Sequence, residues 1–439
     1  WSHLIVGASA AADIVDDARI AAAAHRQIDR LIHDASGSAT RGQTIEGFYR
    51  EEGGIDGHYS SMSEYYLGLL WHKTRDPRLL ESLRRAYQLK RHLIVTCPQL
   101  GFVSARNWNH RTDSDLTRGY PAARLMANTL PNASAIMHRI EPSTHLTWYV
   151  RDAVTARRAI SDWWGKTSDA DRLGVRQAAA GVVGGELAHL AVPPFLKPNA
   201  FACEEDWAGI RRFGSQFAVA RLDPWYIVLY SGGDRPAHAP PGNGLATLWH
   251  RHLGPLLLGD TEINRSSVDA AFPLVATDRG TIAGRAFSTH QRPVRLAADA
   301  RGDRMSAAIE LDEGISLERS YVVADAVLRS EARWTGGKPS RHMLVLPVVT
   351  NPHLSVEARS RNSAPVPLTQ GKAVQIESIA WHRGEAAVEL RFDSPVPMRV
   401  LGTEKMDALE ITLCEFDISA TDGGWRFREV NASAGPHAP

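Results

Sequence analysis

The chain has 439 residues, 44% of them apolar and 23% charged, a balance that fits a globular protein and excludes a disordered one. Its formal net charge of +1 excludes a nucleic-acid binder that works through bulk positive charge. Its longest apolar runs, around Leu4–Ala12 and Leu253–Leu258, fall far short of the roughly 18 residues of a membrane-spanning helix, so no bilayer partner is expected.

The first two hundred residues read as helices. Asp13–His33 is Ala-rich with apolar residues at helical spacing, and Asp16 or Asp17 suits the positive end of its dipole. Ser61–Thr74 and Asp76–Thr96 follow; Pro77 fits a first-turn position and Pro98 stops the second helix. Tyr120–Ile140, Thr147–Trp164 and Ser168–Leu190 continue the series. Polar and glycine clusters at Glu46–Gly57 and Leu100–Thr117 separate them. Helical hairpins in series without a fixed repeat predict an α/α toroid rather than a solenoid. The helices are too few for a complete ring, and Trp1 rather than Met comes first, so the chain reads as a processed or truncated product.

At Ala191–Ala200 the texture changes. Val192-Pro193-Pro194-Phe195-Leu196-Lys197-Pro198-Asn199 cannot continue a helix and reads as a linker. Strands are predicted at Gln216–Ala220, Trp225–Tyr230, Met305–Leu311, Ser320–Leu328, His342–Val349, Ala387–Phe392 and Ala408–Phe416. The fold class is therefore α+β: a toroid domain over 1–192, incomplete at its N-terminus, and an antiparallel β-sandwich domain over 200–439. Cys97, Cys203 and Cys414 show no metal-binding spacing and read as buried small hydrophobes.

Two helix-linking loops concentrate chemistry. In the first, Gly47 to Gly57 is rich in glycine and leads into His58, Tyr59, Tyr65 and Tyr66 at the start of a helix. The bland alternative is that the tyrosines pack that helix on its neighbours. The second loop holds Arg106-Asn107-Trp108-Asn109-His110-Arg111-Thr112-Asp113. There Trp108 suits stacking on a sugar ring and Arg111 a bidentate grip on a carboxylate, unless the loop is a solvated salt-bridge segment.

The stretch Asp56-Gly57-His58-Tyr59 through Tyr66 resembles the Asp-Gly-x-Tyr/Phe…Tyr motif of heparinase II/III-like and alginate-lyase-like polysaccharide lyases. Trp1-Ser2-His3-Leu4-Ile5-Val6-Gly7 is similar to the part that follows a conserved-type Asn in that group, and Thr112-Asp113-Ser114-Asp115 is similar to its Gly-Asp-Ser-Asp rim. His250-Arg251-His252 matches the group's His-x-His but lacks the Asp that follows it there. The resemblance implies β-elimination on a uronate glycan by a secreted or periplasmic enzyme that needs no cofactor. It implies Tyr65 or Tyr66 as the proton-transfer residue, with His3 or His58 assisting. Asn109, His110 and Arg111 would neutralise the uronate carboxylate beside Trp108, and His250 and His252 would reach in from the β domain.

The tyrosines are neighbours about 100° apart on a helix, so only one faces a cleft. Tyr65 shares a stripe with the small Ser61 and Gly68, while Tyr66 lies beside Leu69 and Leu70, which favours Tyr65. Two other readings stay open: an inverting glycoside hydrolase using Glu51 or Glu52, Asp56 and Asp113, or a non-catalytic glycan binder using Trp108, Trp163, Trp164 and Trp225.

Overall fold

The computed structural model describes residues 2–33, 42–51, 54–55, 57–96, 103–104, 122–140, 194–232, 242–259, 275–290, 292–312, 314–350, 354–360, 365–369, 371, 373–406 and 409–431. Helices come first and strands after. The helix expected over Asp13–His33 is instead two, α1 Ser2–Val15 and α2 Ala18–His33. Asp16 turns left-handed at φ 51° between them. Asp17 then caps α2, its carboxylate accepting the Arg19 N–H at 2.8 Å. Two adjacent short acidic side chains offer the backbone bonds outside a helix, which outweighs the helical pattern running through them.

α3 Gly57–Thr74 and α4 Pro77–Leu93 form a hairpin. Arg75 makes the turn at φ 56°, Asp76 caps α4 by accepting the Arg78 N–H at 2.9 Å, and Pro77 occupies the first turn as expected. The stretch expected as one helix over Tyr120–Ile140 is helical at 122–126, then restarts as α5 Pro131–Ile140, again opened by proline. α1 packs on α2 and α3, and α4 on α2, α3 and α5. The expected helices Thr147–Trp164 and Ser168–Leu190, on which closure of a ring depends, lie outside the described residues. The ends of the first loop and of α4 pair in two small ribbons, β1 Arg50–Glu51 with β2 Gly54–Ile55, and β3 Ile94–Val95 with β4 Val103–Ser104.

Residues 194–200 are extended, and they are strapped to the helices rather than loose. The Leu196 N–H bonds the Ala127 carbonyl at 3.0 Å, and Ser134 Oγ donates to the Leu196 carbonyl at 2.6 Å. The strands then run β5 Gly209–Phe213, β6 Phe217–Leu222, β7 Trp225–Tyr230, β8 Leu245–His250, β9 Gly254–Leu258, β10 Thr277–Ile282 and β11 Arg285–Ser288. After them come β12 Val294–Ala298, β13 Arg304–Asp312, β14 Ile315–Ala324, β15 Val327–Thr335, β16 Arg341–Thr350, β17 Ser355–Arg359 and β18 Val366–Pro367. β19 Val374–Arg383, β20 Ala386–Met406, β21 Leu409–Asp417 and β22 Trp425–Asn431 complete the series. The single strand expected over Ser320–Leu328 is the β14–β15 hairpin, turned by Asp325 and Ala326 at φ 52° and 59°. No glycine marks that turn, so the pattern runs straight through it.

Instead of two separate sheets, β5 to β22 form one antiparallel sheet that folds back on itself, with β10–β16, β15–β22 and β16–β9 pairings tying it nearly closed. Alternation along a strand sends neighbours to opposite faces. In β7, Trp225, Ile227 and Leu229 enter the inner core of the folded sheet, whereas Tyr226, Val228 and Tyr230 join the core shared with the helices. β6 repeats this with Ala218 and Ala220 inward, Phe217 and Val219 toward the helices. Three layers result: helices, a sheet covered on both faces, and the sheet's far wall.

Candidate functional site

The boundary between helices and sheet is built on the C-terminal end of α4. A helix leaves its last carbonyls without intrahelical donors. Here the sheet and the linker supply them: Tyr226 Oη donates to the His92 carbonyl at 2.8 Å, and the Ala202 N–H to the Arg91 carbonyl at 3.4 Å. Just beyond, Trp249 Nε1 donates to the Thr96 carbonyl at 2.7 Å. Arg91 pairs with Glu205 and donates through Nε to the Ala200 carbonyl at 2.8 Å. Burial pushes the His92 imidazole down to about 4, so the ring is neutral. Its Nδ1–H bonds the Gln88 carbonyl at 2.8 Å, which leaves Nε2 to accept Arg211 Nη1 at 3.1 Å. Arg211 lies over the Trp207 ring at 4.3 Å. Sequence reasoning singled out none of His92, Trp207 and Arg211, because a His in a last helical turn and an Arg on a strand carry no motif.

The first glycine-rich loop is docked from both sides. Gln43 Nε2 donates to the carbonyls of Gly47 and Ser82 at 2.9 and 2.7 Å, and Tyr49 Oη and Ser82 Oγ lie 2.8 Å apart. Gly47 sits at φ 112° with the Arg85 carbonyl oxygen 2.4 Å from where a Cβ would be, so only glycine fits there. Phe48 meets Phe217 of the sheet edge to face, centroids 6.2 Å apart. The loop that precedes α3 thus meets the sheet through Phe48.

On α3 the two tyrosines are arranged the reverse of the sequence expectation. Tyr65 is buried at 4% exposure, while Tyr66 is half-buried at the margin of the same core. Their rings meet edge to face with centroids 5.4 Å apart. Ser61 and Gly68 leave no substrate room beside Tyr65. Ser61 Oγ accepts Lys90 Nζ at 3.1 Å, and a Cβ on Gly68 would lie 2.9 Å from the Leu125 side chain. Small residues here let helices approach one another. The more open stripe is Met62, Tyr66, Leu69 and Lys73. Beneath the buried stripe, Lys90 Nζ pairs with Glu64 at 2.6 Å; burial pushes the Glu64 carboxyl up against the pull of that ammonium.

Other expected residues are placed as follows. His3 lies on α1 and His58 in the first turn of α3, with their side chains outside the described set. Trp108, Asn109, His110 and Arg111 lie outside the described residues altogether. His250 pairs across the ladder with Trp225 and shares its inward face, turned away from the helices. It is buried, Nε2 lies 3.0 Å from Glu429, and Nδ1 accepts the His252 N–H at 3.3 Å. Burial, with the neighbouring His252, pushes His250 down to about 3, so it donates to Glu429 as a neutral ring. His252 is exposed. Cys203 and Cys414 are buried, as expected. Among the described residues no cluster of three or more His, Cys, Asp or Glu offers a metal site, and no helix is long and apolar enough to cross a membrane.

No family model and no curated protein matches the sequence. Among solved structures, the chain is similar to two of heparinase III, at 11% identity with TM-scores of 0.35 and 0.33, each covering 86% of this chain. It spans 62% and 59% of those chains, about three fifths of their length. A candidate aldose 1-epimerase of Escherichia coli K12 matches over 50% of this chain and all of its own, at 9% identity and a TM-score of 0.32. Likeness of this size assigns no residue a role.

Proposed function

We propose that the protein is a polysaccharide lyase that cleaves a uronate glycan by β-elimination at the helix–sheet boundary. The observation that supports the reading is α3: the helix that begins at Gly57 buries Tyr65 and leaves Tyr66 partly exposed at the margin of the core. On this reading 1–192 is an α/α toroid domain and 200–439 the antiparallel β domain. Acidic polysaccharide as substrate puts the protein in a secreted or periplasmic setting.

The chemistry follows from the acidity of C5. Its proton is weakly acidic until the adjoining carboxylate is neutralised, and hydrogen-bond donors achieve that while holding the enolate-like charge that develops. Asn109, His110 and Arg111 are assigned this role, with Trp108 stacking on the sugar. Tyr66 then takes the C5 proton, the C4–O4 bond breaks as the C4–C5 double bond forms, and the same hydroxyl returns a proton to O4. A tyrosine ordinarily near pKa 10 needs a neighbouring base or cation for the first step, the part given to His3 or His58. Tyr65 positions Tyr66 through their ring contact.

The test is a panel of acidic polysaccharides followed in the near ultraviolet, where the unsaturated product absorbs. The reading predicts an absorbance gain on at least one uronate glycan. New reducing ends without absorbance would contradict it and point to hydrolysis by the acidic residues of the same loops.

A further inference from the structure

The sheet face that packs on the helices also carries a pocket of ≈ 400 Å³ among β10, β11, β16, β20 and β21. Register places its charged lining residues on that one face. Thr277 pairs with Val345, Thr281 with Arg341 and Arg279 with Met343; Val345 and Arg399 in turn both pair with Glu415. Val345, Ile411 and Leu413 belong to the core that the helices share, so Glu415, two residues beyond Leu413, points the same way.

The lining holds three guanidiniums, Arg279, Arg341 and Arg399, to one carboxylate, Glu415. Glu415 is buried and already engaged twice. Arg279 pairs with it, and Arg399 donates to Oε1 through Nη2 at 2.7 Å and Nε at 3.2 Å. The shared carboxylate fixes two planar forks side by side, which removes much of the ordering cost that binding an anion would otherwise carry. Arg341 is exposed at the edge of the same pocket. Partial burial and the charges of Arg399 and Arg341 hold Arg279 below its ordinary value, as expected where positive charge is in excess. Ser288 and Thr281 add hydroxyls to the lining.

We propose that this pocket is an oxyanion subsite that takes a carboxylate or sulfate group of an acidic glycan through Arg279, Arg341 and Arg399. The glycan part rests on the lyase reading; the capture of an oxyanion does not. Calorimetric titration at low salt with inorganic sulfate, and separately with an unsulfated uronate tetrasaccharide, tests it on the whole chain. Binding that weakens as salt rises is expected. Arg341→Gln should weaken it about tenfold, the loss of one charge-assisted contact, and Arg341→Gln combined with Arg399→Gln should abolish it. Tyr66→Phe should bind sulfate as the parent does. Arg341 lies outside the Glu415 pair, so its single variant keeps the fold. Binding of sulfate alone assigns the pocket to sulfated sugars, and binding of the tetrasaccharide assigns it to uronates. No binding of either probe, or equal binding by Arg341→Gln, overturns the subsite. A protein that eliminates uronate glycans with an unchanged KM in Arg341→Gln loses the subsite but keeps the reaction. One that binds sulfate through Arg341 and eliminates nothing keeps the pocket and loses the reaction.

Discussion

Asp278 and Arg279 are neighbours on β10, yet they enter two charge clusters of opposite kind. Asp278 faces the inner core, and both it and Arg319 are 0% exposed. It accepts from Arg319, from His342 Nε2 at 2.7 Å and from Asn243 Nδ2 at 3.0 Å, while its own N–H donates to Thr289 Oγ1 at 2.9 Å. Burial alone would push the Asp278 carboxyl up; the Arg319 charge and the His342 bond outweigh it and hold it well below the usual carboxylate range. Arg279 faces the other way, into a pocket open to solvent with more guanidinium than carboxylate. One cluster is closed and saturated and serves the fold. The other is ordered around Glu415 and keeps Arg341 at its exposed edge.

The sharpest break of that contrast is Asp278→Ala, which leaves Arg319 buried without its partner. Denaturant unfolding should show a loss of about 3–5 kcal/mol. A loss under about 1 kcal/mol would mean that the closed cluster is not structural.

Acid comes next. His92 is held neutral by burial at about 4, against 6.5 for an ordinary His. Well above pH 6.5 neither the folded nor the unfolded ring carries the proton. As pH falls from 6.5 toward 4 the unfolded chain binds a proton that the folded chain refuses, so stability falls, by about 3 kcal/mol for this ring. Thermal unfolding followed from pH 7.5 to 4.5 should decline across that window. Replacing His92 by Gln should flatten the decline by about one proton, and an unchanged slope would remove His92 from the account.

The smallest effect concerns the open cluster. Arg341→Gln should change unfolding free energy by no more than about 0.5 kcal/mol, as for an exposed residue outside a structural network. A change of several kcal/mol would make the pocket part of the fold's frame and not a ligand site.

Local chemistry was legible in the sequence wherever one residue decides it. Pro77 opens α4, and Trp225–Tyr230 is β7 to the residue. What failed depended on partners distant in sequence. α3 carries apolar residues on nearly every side, and its small Ser61 and Gly68 look like substrate room until α4 and the 122–126 stretch are seen against them. That contact buries Tyr65 and leaves Tyr66 the more open of the two, the reverse of the expected burial. His250 looks like a residue that reaches a cleft, but the ladder with Trp225 turns it inward. The Arg pocket draws one side chain each from β10, β16 and β20, so no local spacing marks it.

The central claim is that Tyr66 moves the proton, and the most direct measurement compares elimination by Tyr66→Phe and Tyr65→Phe. Each change removes only a hydroxyl, and circular dichroism checks that both variants fold. The account predicts that Tyr66→Phe loses turnover by about 10²-fold or more, the scale of a lost acid–base group, while Tyr65→Phe keeps most of it. A folded Tyr66→Phe that eliminates at the parent rate, with the loss falling on Tyr65→Phe instead, would contradict it.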